Sequence, residues 1–277
     1  MEMTSFGTLF RQMFLQKSRS AYLIFGIQFL AAFVLTILAM GSAGLNNPKI
    51  DQTAINTIAA AFLAFIVLFL MLCFLTAPVY LVMTSWKIEK INRDQTWRLI
   101  PISSGKFYLS NTLSSFAAYI YLEIMQLVLM LVGFFGVYLA SGKVRKGVSE
   151  VIAETTNNNA DYGMLVEYLV IGLLLNLFWY VMISFYHFLS RSVIDFLPAA
   201  SNRFVIFIVR VLVLVVVIYA LYFVSIGLSD LFIHPLTDSG ESFELLMTIV
   251  IFILFNVIFG GLNILLINKF VEAKADR

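Results

Sequence analysis

Glu123 and Arg210 carry the chemistry least suited to its surroundings. Each falls inside a long apolar run, where a charge costs about 2.5–3.5 kcal/mol by insertion scales and so turns toward protein or water. An acid and a base on different runs can tie two helices together, or they can move a substrate or a proton. Arg210 can also act by itself, snorkelling to lipid headgroups. Other chemistry is thinly represented. No GxxxxGK[ST] phosphate loop and no HExxH zinc motif occurs, and the histidines are two, His187 and His234. His187, next to Tyr186 at the end of an apolar run, reads as an interfacial hydrogen-bonding residue. Cys73 is the single cysteine, so one chain assembles neither a disulfide framework nor a cysteine metal site. The sequence predicts no catalytic residue, no metal site and no cofactor held by this chain, and it argues against an intramembrane protease or hydrolase.

The elements that must position these residues follow from composition. The 277 residues are 61% hydrophobic and 12% charged, against about 45–50% and roughly 25% in an ordinary soluble domain. That excludes a soluble globular fold, and a net charge of +2 gives no footing for nucleic acid. Six runs are long enough to cross about 30 Å of hydrocarbon as helices: Ala21 to Met40, Ile58 to Met83, Leu113 to Leu139, Tyr168 to Leu189, Phe204 to Leu228 and Leu245 to Ile267. They are continuously apolar, where barrel strands would alternate. The expected fold class is therefore all-α: a single polytopic membrane domain over residues 1–277. The first 20 residues do not read as a cleavable signal, because Arg11, Lys17 and Arg19 precede a run long enough to span.

Lys and Arg fall unevenly between the two sides. Fourteen lie with the termini and the second and fourth loops, against Lys49, Lys143, Arg145 and Lys146 on the other side. The richer side is expected to be cytoplasmic, with both termini there. The loop before the sixth run, with Asp230, Asp238, Glu241 and Glu244, fits the outside. Residues 3–18 place Phe6, Leu9, Phe10, Met13 and Phe14 at helical spacing, which predicts an interfacial amphipathic helix entering the first span at an angle, or else a merely basic tail. In the external loop 141–163, VRKGVSEVIAET predicts a short helix ahead of Asn157, Asn158 and Asn159; the alternative is a flexible connector. Pro78 is expected to kink the second span, and Gly260 and Gly261 to permit close approach of the sixth to a neighbour.

The loop 84–106 between the second and third spans, TSWKIEKINRDQTWRLIPISSGK, interleaves charges with large apolar residues. Asp94 can cap a short helix carrying Trp97, and Pro101 sits where that helix should end. Trp97, Leu99 and Ile100 could fill a pocket on a partner while Arg93, Asp94 and Arg98 set its register. An interfacial belt of Trp and Lys is the plainer alternative. In this loop the sequence resembles the permease subunits of ABC-2-type transporters. Glu89, Arg93 and Asp94 stand for the family's charged cluster, Thr96 for its threonine, and Pro101, Ser103 and Lys106 for its closing Pro, hydroxyl residue and Lys; Gln95 replaces the usual Gly.

The resemblance implies six spans, an amphipathic helix before the first and a cytoplasmic coupling helix that docks on a separate ATP-binding subunit. Glu89, Arg93, Asp94, Thr96, Trp97, Arg98 and Pro101 would form that contact, with ATP and magnesium held by the partner. A second permease copy or paralogue would complete the pathway through the lipid. The implied function is export of a hydrophobic or amphipathic substrate, peptide or drug-like, across a bacterial plasma membrane. The alternative is a self-sufficient secondary transporter, or a substrate-binding membrane subunit, working through Glu123 and Arg210.

Overall fold

The computed structural model describes residues 5–46, 54–94, 97, 99–157, 162–196, 203–228 and 241–269. Among them are seven helices and no strand: α1 (Phe6–Asn46), α2 (Ala54–Arg93), α3 (Ser104–Ala140), α4 (Gly142–Asn157), α5 (Tyr162–Asp195), α6 (Arg203–Leu228) and α7 (Glu241–Lys269). All except α4 are long and apolar enough to cross a bilayer, which makes the chain a multi-pass membrane protein. Each of the six apolar runs lies within one of these helices. Lys49, Asn158, Asn159, Pro198, Asn202, Asp230, His234, Asp238, Lys274 and Arg277 lie outside the described residues, as does the start of the expected interfacial helix.

The helices outrun the spans on the Lys- and Arg-rich side. α2 continues past Met83 to Arg93, α3 begins at Ser104, ahead of Leu113, and α5 continues past Leu189 to Asp195. The reason is amphipathic: beyond Met83, the buried Thr84, Ser85, Ile88, Ile91 and Asn92 recur at helical spacing while Trp86 and Lys90 face out. Ten further residues add about 15 Å of helix.

At the N-terminus the structure corrects the expectation of a separate interfacial helix. α1 is one uninterrupted helix of 41 residues. No Pro or Gly stands between Thr8 and Phe25 to break it. Its buried residues, Leu9, Met13, Lys17, Ser18, Ala21, Ile24, Gln28, Ala32 and Thr36, form one stripe that continues from the amphipathic segment into the span. Leu9 and Met13, expected among acyl chains, are instead fully buried in protein.

The chain divides into two compact units. The first holds residues 1–13, 85–116 and 161–277. Within it α5 packs chiefly on α7 and less extensively on α6. Asn263 donates to the Tyr108 hydroxyl at 2.7 Å and to the Val181 carbonyl at 2.9 Å, joining α7 to α3 and α5. Asn111 donates to Asn92 at 2.8 Å and to the Ile88 carbonyl at 3.1 Å, joining α3 to the end of α2.

The second unit holds residues 14–84 and 117–160. Ring pairs Phe25–Phe69 and Phe29–Phe65 join α1 to α2 edge to face. Two glycines here permit close approach: a Cβ on Gly133 would meet Ile66 at 3.0 Å, and one on Gly136 the Phe62 ring at 3.2 Å. Gly260 and Gly261, expected in that role, have open space where a side chain would go. The helix expected in the external loop is α4, with half-buried Val144 and Val148 on one face and Lys143, Arg145, Lys146 and Glu150 elsewhere.

Candidate functional site

Where α2, α5 and α6 come together on the Lys- and Arg-rich side, the first unit has a cleft of about 480 Å³. The extension of α2 contributes Glu89, Lys90 and Asp94; the last turns of α5 contribute Tyr186, His187, Ser190, Arg191, Ile194 and Asp195; α6 contributes Ile206 and Arg210. Spacings of three and four along α5 set Tyr186 or His187, Ser190 or Arg191 and Ile194 on one face. His187 Nδ1 stands 4.0 Å from Glu89 Oε2, across α5 and α2, and Arg191 Nε 3.8 Å from Asp195 Oδ2 within one turn. The Tyr186 hydroxyl donates to the Arg210 carbonyl at 3.3 Å, which fastens α6 to α5. Ser190 is only 3% exposed, and its buried hydroxyl has no hydrogen-bond partner.

This cleft collects residues that the sequence assigned to different roles. Glu89 and Asp94, assigned to a partner contact, line it beside Arg210, assigned to an intramembrane pair, and beside His187. Arg210 is exposed, on the first unit; Glu123 is half-buried on α3 in the second unit. His187 faces the Glu89 carboxylate.

The connector between α2 and α3 is the second feature. Asp94 closes α2, its N–H bonding the carbonyls of Lys90 and Ile91 at 3.1 and 3.3 Å. Trp97, Ile100 and Ile102 pack against a core of Leu9, Met13, Ile91 and Phe107. Trp97 is thus half-buried against its own chain, where the sequence offered it to a partner's pocket. Leu99 is the apolar side chain turned outward, 82% exposed. Pro101 is exposed, and the Ile102 N–H bonds the Ile100 carbonyl at 2.7 Å around it, just before α3 opens with Phe107 N–H on the Ser103 carbonyl at 3.0 Å. Thr96 and Arg98 lie outside the described residues, as does the side chain of Arg93.

A third cluster, unforeseen in the sequence, is buried in the second unit. Gln126 Nε2 donates to Gln28 Oε1 at 2.7 Å and to Thr76 Oγ1 at 3.2 Å; Thr76 donates to Gln28 Oε1 at 3.3 Å. Gln28 Nε2 in turn reaches Cys73 Sγ at 3.1 Å and the Phe69 carbonyl at 3.4 Å. One amide on each of α1 and α3 and one hydroxyl on α2 thereby satisfy one another in an apolar surround. Gln126 Oε1 is buried with no partner. The available signal was one glutamine in each of two long apolar runs, Gln28 in the first and Gln126 three residues after Glu123 in the third, and an uncharged amide is a weaker signal there than an acid. Among the described residues no group of His, Cys, Asp and Glu is placed to hold a metal ion.

No family model matches the chain, and no curated protein or solved structure is significantly similar to it.

Proposed function

We propose that the chain is the permease subunit of an ABC-2-type exporter, seated in a bacterial plasma membrane with both termini in the cytoplasm. The observation that carries this reading is the seating of the α2–α3 connector. Trp97, Ile100 and Ile102 anchor it on the ends of α1, α2 and α3, while Leu99 stands out from it. A close-packed anchor transmits displacement with little loss. A push on Leu99 and its neighbours therefore becomes a movement of three helix ends together.

In this reading two ATP-binding subunits, holding ATP and magnesium, close beneath two permease copies or paralogues. Their closure drives the connectors, and the spans tilt to release a hydrophobic or amphipathic substrate, peptide or drug-like, outward. Contact through Leu99, with the exposed Pro101 two residues on, replaces the contact through Trp97 that the sequence favoured. The orientation is supported by the distribution of Lys and Arg.

The test is an affinity pull-down in mild detergent from native membranes, comparing the intact chain with Leu99→Asp. Recovery of an ATP-binding subunit with the intact chain, and its loss with a Leu99→Asp variant of unchanged thermal stability, is the expected outcome. A well-folded intact chain that recovers no ATP-binding polypeptide overturns the proposal.

A further inference from the structure

The ends of the apolar runs set the charged cleft across the edge of the hydrocarbon layer, next to the lipid headgroups. The apolar runs end at Met83 on α2 and Leu189 on α5, and begin at Phe204 on α6. Glu89 is six residues beyond one edge and Arg210 six residues inside another, so the cleft reaches about 9 Å to either side of the hydrocarbon boundary. The headgroup layer is about 5–8 Å thick on each face. Beside the cleft, on α6, Phe207 is 64% exposed and offers a surface for acyl chains.

The charges of the lining select among headgroups. Lys90, Arg191 and Arg210 oppose Glu89, Asp94 and Asp195, so the lining favours neither a simple anion nor a simple cation. Part of this charge is committed within the protein, in the His187–Glu89 and Arg191–Asp195 pairs. Arg210 and Lys90 have no ion pair among the described residues, and the buried Ser190 hydroxyl has no acceptor. These three are donors for a phosphate, and charge-assisted bonds to phosphate oxygens are the strong ones. The carboxylates on the same lining would take a group of the opposite charge attached to that phosphate.

We propose that this cleft is a binding site for a zwitterionic phospholipid with a primary ammonium, a phosphoethanolamine headgroup. Arg210, Lys90 and Ser190 hold the phosphate, and the carboxylates of Glu89, Asp94 and Asp195 accept the N–H donors of the ammonium. A choline headgroup has the same charges but no N–H to donate. A glycerol headgroup leaves the carboxylates facing an uncompensated anion. The site does not rest on the proposed ATP-binding partner: Leu99 and Pro101, which carry that contact, are not part of its lining.

The test uses the full chain, delipidated in detergent and given equal amounts of phosphatidylethanolamine, phosphatidylcholine and phosphatidylglycerol with matched acyl chains, read by native mass spectrometry. Retention of the ethanolamine lipid at least about fivefold above the other two is expected, falling to their level in Arg210→Ala and Ser190→Ala. Lys90→Ala, on an exposed position, serves if either variant is poorly produced. Equal retention of all three lipids overturns the site as mere annular contact, and preference for the glycerol headgroup overturns it as a basic patch. Choline retained as well as ethanolamine removes the role of the carboxylates and overturns it too. Glycerophosphoethanolamine, the headgroup without acyl chains, tests the source: displacement of the lipid at equal concentration would make the ligand a soluble zwitterion and overturn the lipid assignment.

Discussion

The charged cleft of the first unit and the buried amide cluster of the second are both polar groupings in an apolar protein, yet they are built oppositely. In the amide cluster, Gln28, Thr76 and Gln126 turn most of their hydrogen bonds on one another, with Gln126 Oε1 left without a partner, and present almost nothing outward. In the cleft, the groups are ionic, open to the outside, and leave the Ser190 hydroxyl unsatisfied. Buried polar groups that satisfy each other rigidify a fold, while those left poised toward a cavity lower its stability and await a ligand. The comparison assigns structure to one region and binding to the other, and substitutions can separate the two.

The largest effect is expected at Gln28, which accepts from two partners and donates to two more. Gln28→Ala leaves a cavity and strands the Gln126 amide, and should cost about 2–4 kcal/mol of stability, measured by unfolding in mild detergent. The double variant Gln28→Leu, Gln126→Leu removes both partners and restores shape, so most of that loss should return. If the double variant is worse than the single one, the cluster is more than a tie between helices. Next comes Gly136→Val, where the added carbons meet the Phe62 ring; about 1–3 kcal/mol of overpacking is expected. Gly260→Val, into open space, should lie within about 0.5 kcal/mol of the parent. Reversal of these two would show that α7 has a neighbour outside the single chain.

How much of this was legible in the sequence differs between the same two regions. Hydropathy located all six spans because lipid demands an uninterrupted apolar run, and a run needs no partner to be recognised. It did not locate the ends of the helices, since past Met83 the chain is held by Ile88 and Ile91 against protein and not by lipid. For the same reason the amphipathic start of α1 read as a membrane-surface helix: Leu9 and Met13 have the spacing of any half-buried helix, and only the fold shows that Ile91 and Phe107 cover them. Glu123 and Arg210 stood out by charge, but the neighbours of a charged residue depend on which helices meet, and that is set by shape and small residues such as Gly133 and Gly136. The residues of the α2–α3 connector stood out in the sequence as a short helix offered to a partner, and the structure packs Trp97 and Ile100 against this chain's own core. Which of them faced inward was not readable, because Trp97 and Leu99 are both apolar and two residues apart.

Trp97 and Leu99 provide the next separation. Trp97→Ala removes part of the core around Leu9, Met13, Ile91 and Phe107 and should cost about 1–3 kcal/mol, whereas Leu99→Asp should change stability by less than about 0.5 kcal/mol while abolishing recovery of the ATP-binding subunit. Equal destabilisation by both would mean that Leu99 is covered in the native assembly by more than a transient partner.

The smallest effect has the opposite sign. A buried hydroxyl without an acceptor destabilises the empty protein, so Ser190→Ala should raise stability in lipid-free detergent by up to about 1 kcal/mol. With ethanolamine lipid present the parent gains the hydrogen bond that Ser190 lacks, and bound ligand stabilises by mass action, so the order of the two proteins should reverse. Arg210→Ala, exposed and without an ion pair among the described residues, should leave the lipid-free stability unchanged and remove the lipid-dependent gain. A Ser190→Ala variant less stable than the parent in lipid-free detergent would place that hydroxyl among the groups that hold the fold together, and the cleft would then resemble the amide cluster after all.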